Sequence, residues 1–211
     1  MQTKAENRSG NKRLAILEAA RRLFLDQGYD GTSMDDVATA AGVSKPTVYR
    51  YFADKEQLFT EIVGNTTQME AQLRAVVDML ADSEDLEKDL VRLARRLLTP
   101  ILQPEFLRLR RLVIGNAERF PVVGKSWYED GFMRVVNTLA ECFERLAAKK
   151  RLQVKDPLLA SHQFIGLLLW EPLNRAMYTG GAAFRESELD TIAADAARAF
   201  LAAYGVHGRK G

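Results

Sequence analysis

Four side chains within a six-residue stretch carry the groups that proteins use to read DNA. They are two cations, a hydroxyl and a phenol: Lys45, Thr47, Tyr49 and Arg50. Lysine and arginine can donate hydrogen bonds to guanine O6 and N7, and threonine can touch a thymine methyl group or a phosphate. The alternative interpretation is an ordinary solvated helix surface. A tyrosine ring left outside is poorly explained without a partner, so we predict that this stretch contacts DNA.

Helical periodicity places these four side chains on one side of a short helix. Successive residues turn by about 100°, so Val48 and Phe52 point inward together and Pro46 joins the outer face. A helix with an apolar inner face and an outer face of cations and hydroxyls can lie in the major groove.

Capping and helix-breaking residues around this helix predict its boundaries. Ser33 and Asp36 have the spacing of a capping box at the start of a preceding helix. Gly42 ends that helix, because a residue without a Cβ adopts the left-handed conformation at low cost. Ser44 is expected to cap the next helix, with Pro46 in its first turn. A helix, a glycine turn and a second helix predict a helix-turn-helix DNA reader.

Two further helices are expected to support this reader. One runs from roughly Lys12 to Gln27 and packs against it. The other begins at Asp54, with Gln57 at capping-box distance, and its apolar face continues to about Ala81. At about 1.5 Å per residue this helix would be about 40 Å long, and we expect it to link the reader to the rest of the chain.

The remainder of the chain also shows helical periodicity and no strand-like alternation of useful length. The predicted helices are Asp85–Thr99, Glu105–Arg119, Val123–Lys149, Asp156–Thr179 and Ser187–Tyr204. The run from Phe164 to Trp170 is apolar nearly all round, which predicts burial on both sides. Alanines repeat between 193 and 199, and small residues let two helices approach closely. We expect these last two helices to bury more surface than one subunit supplies.

The composition is that of a mostly helical globular protein. The 211 residues are 47% hydrophobic, and the formal net charge of +2 neither supports nor excludes nucleic-acid binding. One cysteine, Cys142, excludes an intrachain disulfide. We recognise no signal peptide and no apolar run long enough to cross a membrane, so we expect a soluble, cytoplasmic protein that does not bind membranes.

From about Arg13 to Phe59 the chain resembles the tetracycline-repressor (TetR) family of bacterial regulators. The shared features are Ile16-Leu17 with Ala19-Ala20, Leu23-Phe24, Gly28, Gly31-Thr32-Ser33, Val37-Ala38, Ala41-Gly42-Val43-Ser44, Thr47-Val48-Tyr49 with Tyr51-Phe52, and Lys55-Glu56 with Leu58. So many matches in the correct order make the resemblance specific. The segment Arg111–Gly131 more loosely resembles the C-terminal domain of one branch of that family.

The resemblance implies roles for individual residues of the reader. Groove contacts are implied for one set: Ser44, Lys45, Pro46, Thr47 and Arg50. Phosphate contacts are implied for another: Tyr49, Tyr51 and Lys55. Thr32 and Ser33, at a helix N-terminus, are expected to meet a phosphate through their backbone amides.

The resemblance also implies partners for the larger part of the chain. The last two helices would form a four-helix bundle with a second copy, giving a homodimer on a palindromic DNA operator. A small lipophilic effector would bind in the larger domain and release the DNA. Our candidates to line that site are Met69, Phe106, Trp127, Phe132, Phe143, Trp170 and Glu171. For each aromatic residue the alternative is plain core packing. For Glu171 it is an ion pair with Arg175 or exposure beside Pro172.

We recognise no set of catalytic residues in this sequence. His162 and His207 lie far apart, and Cys142 stands on an apolar helix face, so we expect neither a metal site nor a catalytic triad. We predict a non-enzyme that has no metal or other cofactor. A DNA-binding regulator or architectural factor without a small-molecule effector is the nearest alternative function.

We therefore predict an all-α protein with two domains. Residues 1–54 would form the helix-turn-helix domain, of which 1–10 would be a flexible arm. Residues 55–204 would form a larger helical domain for effector binding and dimerisation, and 205–211 a flexible tail.

Overall fold

The computed structural model describes residues 4–64, 74, 77, 80, 84–180 and 183–206. Over these residues the chain is helical and has no strand, with one isolated bridge between Leu152 and Gly205. The predicted all-α class is therefore confirmed. The helices are α1 (Lys4–Gln27), α2 (Met34–Ala40), α3 (Lys45–Tyr51), α4 (Lys55–Gly64), α5 (Leu86–Ile101), α6 (Pro104–Asn116), α7 (Pro121–Ser126), α8 (Met133–Ala148), α9 (Pro157–Tyr178) and α10 (Glu186–Tyr204), with a π-helical turn at Trp127–Phe132 between α7 and α8.

The chain divides into two compact units, and each of them combines two separate stretches of the sequence. The first unit comprises Met1–Asn65 and Arg108–Asp130, and the second comprises Thr66–Leu107 and Gly131–Gly211. Helix α6 thus contributes residues to both units. A packing unit is defined by contacts and a functional domain by its activity, so the predicted boundary after residue 54 stays a prediction.

The core of the first unit is built from α1 to α4 together with the segment Arg108–Asp130. Phe24, Phe52 and Phe59 are fully buried in it, as the helical spacing of apolar residues predicts. The segment adds Leu109, Val113 and Val123 to the same hydrophobic cluster. We call this cluster, with the helices α1 to α4 that contribute to it, the reader core. Three short helices bury little surface by themselves, and this added segment enlarges their core.

Three phenylalanines form the centre of the second unit. The Phe143 ring lies 5.8 Å from Phe164 and 4.7 Å from Phe200, and the Phe164 and Phe200 rings are 5.1 Å apart. All three side chains are fully buried. Their edge-to-face and tilted arrangements are those that aromatic quadrupoles favour.

Within the single chain, helix α9 is buried on one face only, so burial of its apolar run on both sides stays a prediction. Phe164 and Leu168 are fully buried, whereas Leu167 is 49% exposed and Trp170 is 77% exposed. The subunit provides packing partners for one side of the helix and leaves the other side uncovered.

The alanines of α10 face the core of their own subunit. Ala193, Ala196 and Ala197 are buried among the second unit's hydrophobic residues, and α10 packs closely on α5. Our prediction that this alanine face meets a second copy was therefore wrong. Small side chains allow close helix approach inside the subunit instead, and larger residues there would disrupt its core.

Helix boundaries near the N-terminus also differ from the prediction. Helix α1 begins at Lys4 rather than near Lys12, and the flexibility of residues 1–10 stays a prediction. Nothing between Lys4 and Lys12 breaks a helix, and the body of α1 supplies the nucleus from which those turns extend.

The continuous helix predicted from Lys55 to Ala81 is described only in part. Its first section is α4, and residues 74, 77 and 80 are also helical. The intervening residues, including Met69, lie outside the described part of the chain, so the continuity stays a prediction. Of the predicted tail, 205 and 206 are described and 207–211 are not.

Within the described residues, no helix combines the length and apolar character that a membrane crossing needs.

Candidate nucleic-acid interface

A glycine turn joins α2 to α3 as predicted. Gly42 has φ of +65°, and its amide donates to Thr39 O at 3.1 Å. The Val43 amide donates to Ala38 O at 3.0 Å, which ends α2 with the bond pattern of a Schellman motif. A side chain at position 42 would be strained in this conformation.

The predicted capping box at the start of α2 is also confirmed. The Asp36 amide donates to Ser33 Oγ at 3.1 Å, and the Ser33 amide donates to Asp36 Oδ2 at 3.0 Å. The hydroxyl of Ser33 also donates to the same carboxylate at 2.6 Å. These hydrogen bonds stabilise the carboxylate and lower the pKa of Asp36 below its ordinary value.

The amides expected to meet a phosphate at this helix start already have acceptors. Besides the Ser33 bond, the Thr32 amide donates to Tyr29 O at 3.3 Å. The Thr32 side chain is buried, with its hydroxyl donating to Gly28 O at 2.9 Å. A phosphate at Thr32 and Ser33 would therefore have to replace bonds within the chain, and that contact stays a prediction.

Helix α3 begins without the side-chain cap that we expected from Ser44. Ser44 occupies the N-cap position, but its hydroxyl lies 2.8 Å from the Thr47 hydroxyl and forms no bond to the backbone. The Thr47 amide, which the cap would have bound, donates to the Ser44 carbonyl at 2.8 Å. Two neighbouring hydroxyls thus satisfy each other on the outer side of the helix.

The outer face of α3 carries the side chains that the sequence places there. Lys45, Pro46, Tyr49 and Arg50 are exposed, and Val48 is fully buried. Tyr49 is 45% exposed, an unusual position for a large ring without a partner. This short helix therefore presents a cationic and aromatic surface from an anchored backbone.

Arg50 and Tyr51 form a stacked pair at the end of α3. The Arg50 guanidinium lies over the Tyr51 ring, with its carbon 5.0 Å from the ring centroid. One of its nitrogens, Nη2, donates a long hydrogen bond of 3.4 Å to the Tyr51 hydroxyl. The stack limits the orientations of both side chains before DNA is bound.

Lys45 connects α3 back to α2 across the turn. Its Nζ donates to Asp35 Oδ2 at 2.9 Å, and this hydrogen bond raises the pKa of Lys45. Both side chains are mostly exposed, so the pair is worth little and opens readily. Lys45 can therefore exchange Asp35 for a base or a phosphate.

Lys55 has a structural role that the sequence did not indicate. Its ammonium group donates to Tyr29 O at 2.8 Å and to Thr32 O at 2.9 Å. It also lies 4.3 Å from the centroid of the Tyr29 ring. These contacts tie the first residue of α4 to the turn between α1 and α2. One of the three ammonium protons remains for the phosphate contact implied by resemblance.

Tyr29 is the centre of an aromatic cluster in the first unit. Its ring centroid lies 4.5 Å from that of Phe120, 5.3 Å from that of Phe59 and 5.7 Å from that of Phe24. Burial of the side chain is the main reason why the pKa of Tyr29 is raised. Sequence reasoning missed this residue, because its contacts come from segments up to 91 positions away.

Ion pairs strengthen the attachment of the segment Arg108–Asp130 to the reader core. Arg119 Nη1 lies 2.6 Å from Asp30 Oδ1, and Arg108 Nη1 lies 3.4 Å from Asp26 Oδ1. The Arg119 guanidinium also lies 5.6 Å from the Tyr29 ring centroid. The turn between α1 and α2 is therefore held both by Lys55 and by this segment.

The seven predicted effector-site residues are not gathered at one place within either unit. Met69 lies outside the described residues. Trp127 is half-buried against the first unit's core, and in the second unit Phe106 and Phe132 are half-buried. The Phe132 ring contacts His162, with centroids 5.9 Å apart.

The remaining candidates have environments of opposite character. Phe143 is packed in the aromatic centre of the second unit, whereas Trp170 stands in solvent. Glu171 is mostly exposed, with Oε1 3.6 Å from Arg175 Nε. The ion-pair alternative weighed for Glu171 therefore matches its position, and an effector role for these residues stays a prediction.

The clefts in the described residues include one in each unit. One, in the first unit, has a volume of about 410 Å³ and is lined by Arg13, Leu17, Thr60, Glu61, Gly64 and Ser126. The other, in the second unit, has a volume of about 350 Å³ and is lined by Leu86, Lys150, Arg151, Leu201, Gly205 and Val206. Neither lining includes a predicted effector residue.

Among the described residues, no three His, Cys, Asp or Glu side chains are grouped so that they could hold a metal ion. Cys142 is buried in the second unit, where its thiol donates to Val77 O at 3.9 Å.

Two family models together match most of the chain. Residues 16–62 match the model of bacterial regulatory proteins of the tetR family. Residues 88–206 match the model of the C-terminal domain of AefR-like transcriptional repressors. The first match contains α2, the glycine turn and α3, and the second contains the helices α8 to α10.

Similar proteins include regulators matched over nearly their whole length. The transcriptional regulator AcrR of Shigella flexneri is 31% identical over 182 residues, covering 80% of this chain and 81% of that protein. A structure described as a TetR-family regulator of Mesorhizobium loti is 43% identical, with a TM-score of 0.90 over 97% of this chain and 100% of that one. The structure of the flavonoid-responsive regulator FrrA is 30% identical, with a TM-score of 0.75 over 94% of this chain and 100% of that one.

The Lys55 contacts predict a stability defect in the variant Lys55→Met. The substitution keeps the side-chain length but leaves two carbonyls without their charged donor, so the free energy of unfolding should fall by about 2 kcal/mol. Thermal unfolding followed by circular dichroism measures the change. Lys125→Met is the matched control. Lys125 is 69% exposed and its ion pair with Glu129 is long, at 3.9 Å, so this variant should melt like the wild type. If Lys55→Met also melts like the wild type, the contacts do not stabilise the fold.

Proposed function

Since the chain belongs to the TetR family of bacterial regulatory proteins and is a DNA-binding transcriptional regulator, we propose that it is a cytoplasmic, homodimeric repressor released from a palindromic operator by a small lipophilic effector. The outer face of α3 is the observation that carries this proposal. Its cations and its exposed Tyr49 ring stand on a helix fixed by the glycine turn and the buried Val48. A helix in this setting can enter the major groove as a unit.

Within this interface, the two cations of α3 make different contacts before DNA is bound. Arg50 is orientated by its stack on Tyr51, which favours a fixed base contact such as a bidentate pair with guanine. Lys45 begins in an exposed pair with Asp35 and suits a contact that forms only when DNA is present. We assign Tyr49 and Tyr51 to the phosphates on either side of the groove contact, as the family resemblance implies.

An uncovered apolar stripe on α9 supports the proposed dimer. It consists of Leu159, Leu167, Trp170 and Tyr178, all exposed in the single chain. At 100° per residue these four positions fall within an arc of about 100° on the helix. Gln163 and Asn174 interrupt this stripe within the same arc. Large apolar side chains exposed on one helix face still favour an interface, and a twofold dimer uses the same surface from both copies. The dimer would place two α3 helices about 34–36 Å apart, one turn of DNA.

A small-molecule effector would act by preferring the form of the dimer that does not fit DNA. A ligand with equal affinity for both forms cannot shift their populations. FrrA, a structural relative at 30% identity, is a flavonoid-responsive regulator, and flavonoids are planar aromatic molecules. We therefore place planar aromatic compounds first among the candidate effectors.

A regulator without a small-molecule effector is the second candidate function. The tight contacts among Phe143, Phe164 and Phe200 favour it, because they fill the centre of the second unit with side chains. The effector measurement below separates the two candidates.

Substitutions on α3 should affect DNA binding in two different ways. Arg50→Ala should relax the base preference at one position of each half-site at a cost of about 1–3 kcal/mol, whereas Tyr49→Ala should weaken binding to all sequences alike. Selection of bound sequences from a random pool, followed by titration of the consensus, measures both effects. An unchanged consensus for Arg50→Ala would remove Arg50 from the base edge.

The α9 stripe predicts that Leu167→Arg separates the dimer. The charged side chain would have to be buried without a partner in the interface, so the variant should sediment as a monomer and bind a palindromic operator poorly. Ile114→Arg is the matched control, because Ile114 is 56% exposed and lies on α6, outside the stripe. A Leu167→Arg variant that stays dimeric would place the interface elsewhere.

An effector should compete with the operator. With a flavonoid panel, a compound that binds the DNA-free protein should lower operator affinity by about 1–3 kcal/mol, and operator should weaken the compound equally. Tryptophan fluorescence of Trp127 and Trp170 follows ligand binding, and fluorescence anisotropy of labelled DNA follows the operator. If every tight-binding compound leaves operator affinity unchanged, the regulator without an effector is the correct function.

A further inference from the structure

Arg110 is a half-buried cation that has no anionic partner among the residues that the structure describes. It lies on α6 within the segment Arg108–Asp130, and no hydrogen bond or ion pair connects it to any described residue. Two other arginines of the same segment are paired, Arg108 with Asp26 and Arg119 with Asp30. Burial lowers the pKa of the Arg110 guanidinium below its ordinary value.

The position of Arg110 on α6 explains why it loses water. The preceding residue, Leu109, and Val113 three residues later are both buried in the reader core. Arg110 therefore emerges at the edge of that hydrophobic cluster. A partly desolvated charge is costly unless an opposite charge or a set of hydrogen-bond acceptors compensates for it.

The guanidinium nevertheless remains accessible. Among the described side chains, the nitrogen that is sealed from solvent and lacks a hydrogen-bond partner is Nε of another arginine, Arg175. The nitrogens of Arg110 have no partner among the described residues and are not sealed in this way, so the half-buried guanidinium reaches solvent. An incoming anion can therefore meet them without prior unfolding of the surrounding helices.

We propose that Arg110 binds the anionic group of an aromatic or aliphatic acid, such as a carboxylate. Its planar fork of donors matches the two oxygens of a carboxylate, and partial desolvation strengthens that pairing relative to one in water. A neutral ester carries no negative charge, so it compensates the partly desolvated guanidinium less than a carboxylate does. The site thus selects for a charged group.

The location of Arg110 links this anion to DNA binding. Leu109 and Val113 pack in the same cluster as Phe59 of α4 and Val48 of α3. An acid bound at Arg110 would change the packing of a helix that supports the reader directly. This regulatory step rests on the proposed function, whereas the binding of the acid itself does not.

Calorimetry on the DNA-free dimer tests the binding. The probes are benzoate, 2-naphthoate and decanoate, each compared with its methyl ester. Wild-type protein should bind at least one acid more tightly than its ester, and Arg110→Gln should lose about 10–100-fold in affinity for that acid but not for the ester. Arg110→Lys should keep part of the preference. Arg108→Gln, an exposed and paired arginine two positions away, should behave as the wild type.

A second measurement does not depend on the choice of acid. If Arg110 is held ready for a ligand, removing its unpaired charge should stabilise the free protein, and Arg110→Met should raise the melting temperature by about 2–4 °C. The matched variant Arg108→Met should leave it nearly unchanged. A fall in the melting temperature of Arg110→Met would show that the residue serves the fold and would overturn the proposal.

The outcomes separate this site from the proposed function. Acid binding that depends on Arg110 but leaves operator affinity unchanged supports the site and removes its regulatory role. Operator release by an ester, unaltered in Arg110→Gln, supports the effector and overturns the site. Equal affinities for every acid and its ester also overturn it.

Discussion

The Lys55 ammonium group fixes the geometry on which the DNA reader depends. It bonds to the carbonyls of Tyr29 and Thr32 and lies over the Tyr29 ring, so the start of α4 and the turn before α2 form one rigid junction. Helix α3 follows α2 through a glycine turn with little freedom, since Val43 is bonded back to Ala38. The orientation of the recognition helix is therefore set at a junction formed by residues outside it.

The same junction is held from a second direction, which makes the reader sensitive to distant parts of the chain. Phe120 lies against Tyr29, and Arg119 pairs with Asp30 in the same turn. Because packed interiors do not deform continuously, a shift of the segment carrying Phe120 and Arg119 must move the turn or break these contacts. A transcriptional regulator can use such a connection without a separate signalling element.

Local signals in the sequence were sufficient for the parts of the reader whose partners are a few residues away. The Ser33 capping box and the Gly42 turn could be predicted for that reason, and Asp54 accepts from the Gln57 amide at 2.7 Å, as its spacing indicates. Periodicity gave the buried and exposed faces of α3 but could not say which neighbour covers a face. It therefore misassigned the α10 alanines, and it gave no sign of the contacts of the Tyr29 and Lys55 side chains, whose partners other than Phe24 are 23 to 91 positions away.

The charge balance of the reader bears on the proposal that two copies bind DNA together. Residues 1–60 contain nine Lys and Arg against eight Asp and Glu. Of the two cations on α3, Lys45 is paired with Asp35. Non-specific attraction to phosphates should therefore be weak. Opening the exposed Lys45–Asp35 pair costs about 0–1 kcal/mol, less than the 1–3 kcal/mol that a good base contact contributes to discrimination. Such a reader would select its sequence well but hold it loosely, which favours the proposed dimer with two joined readers.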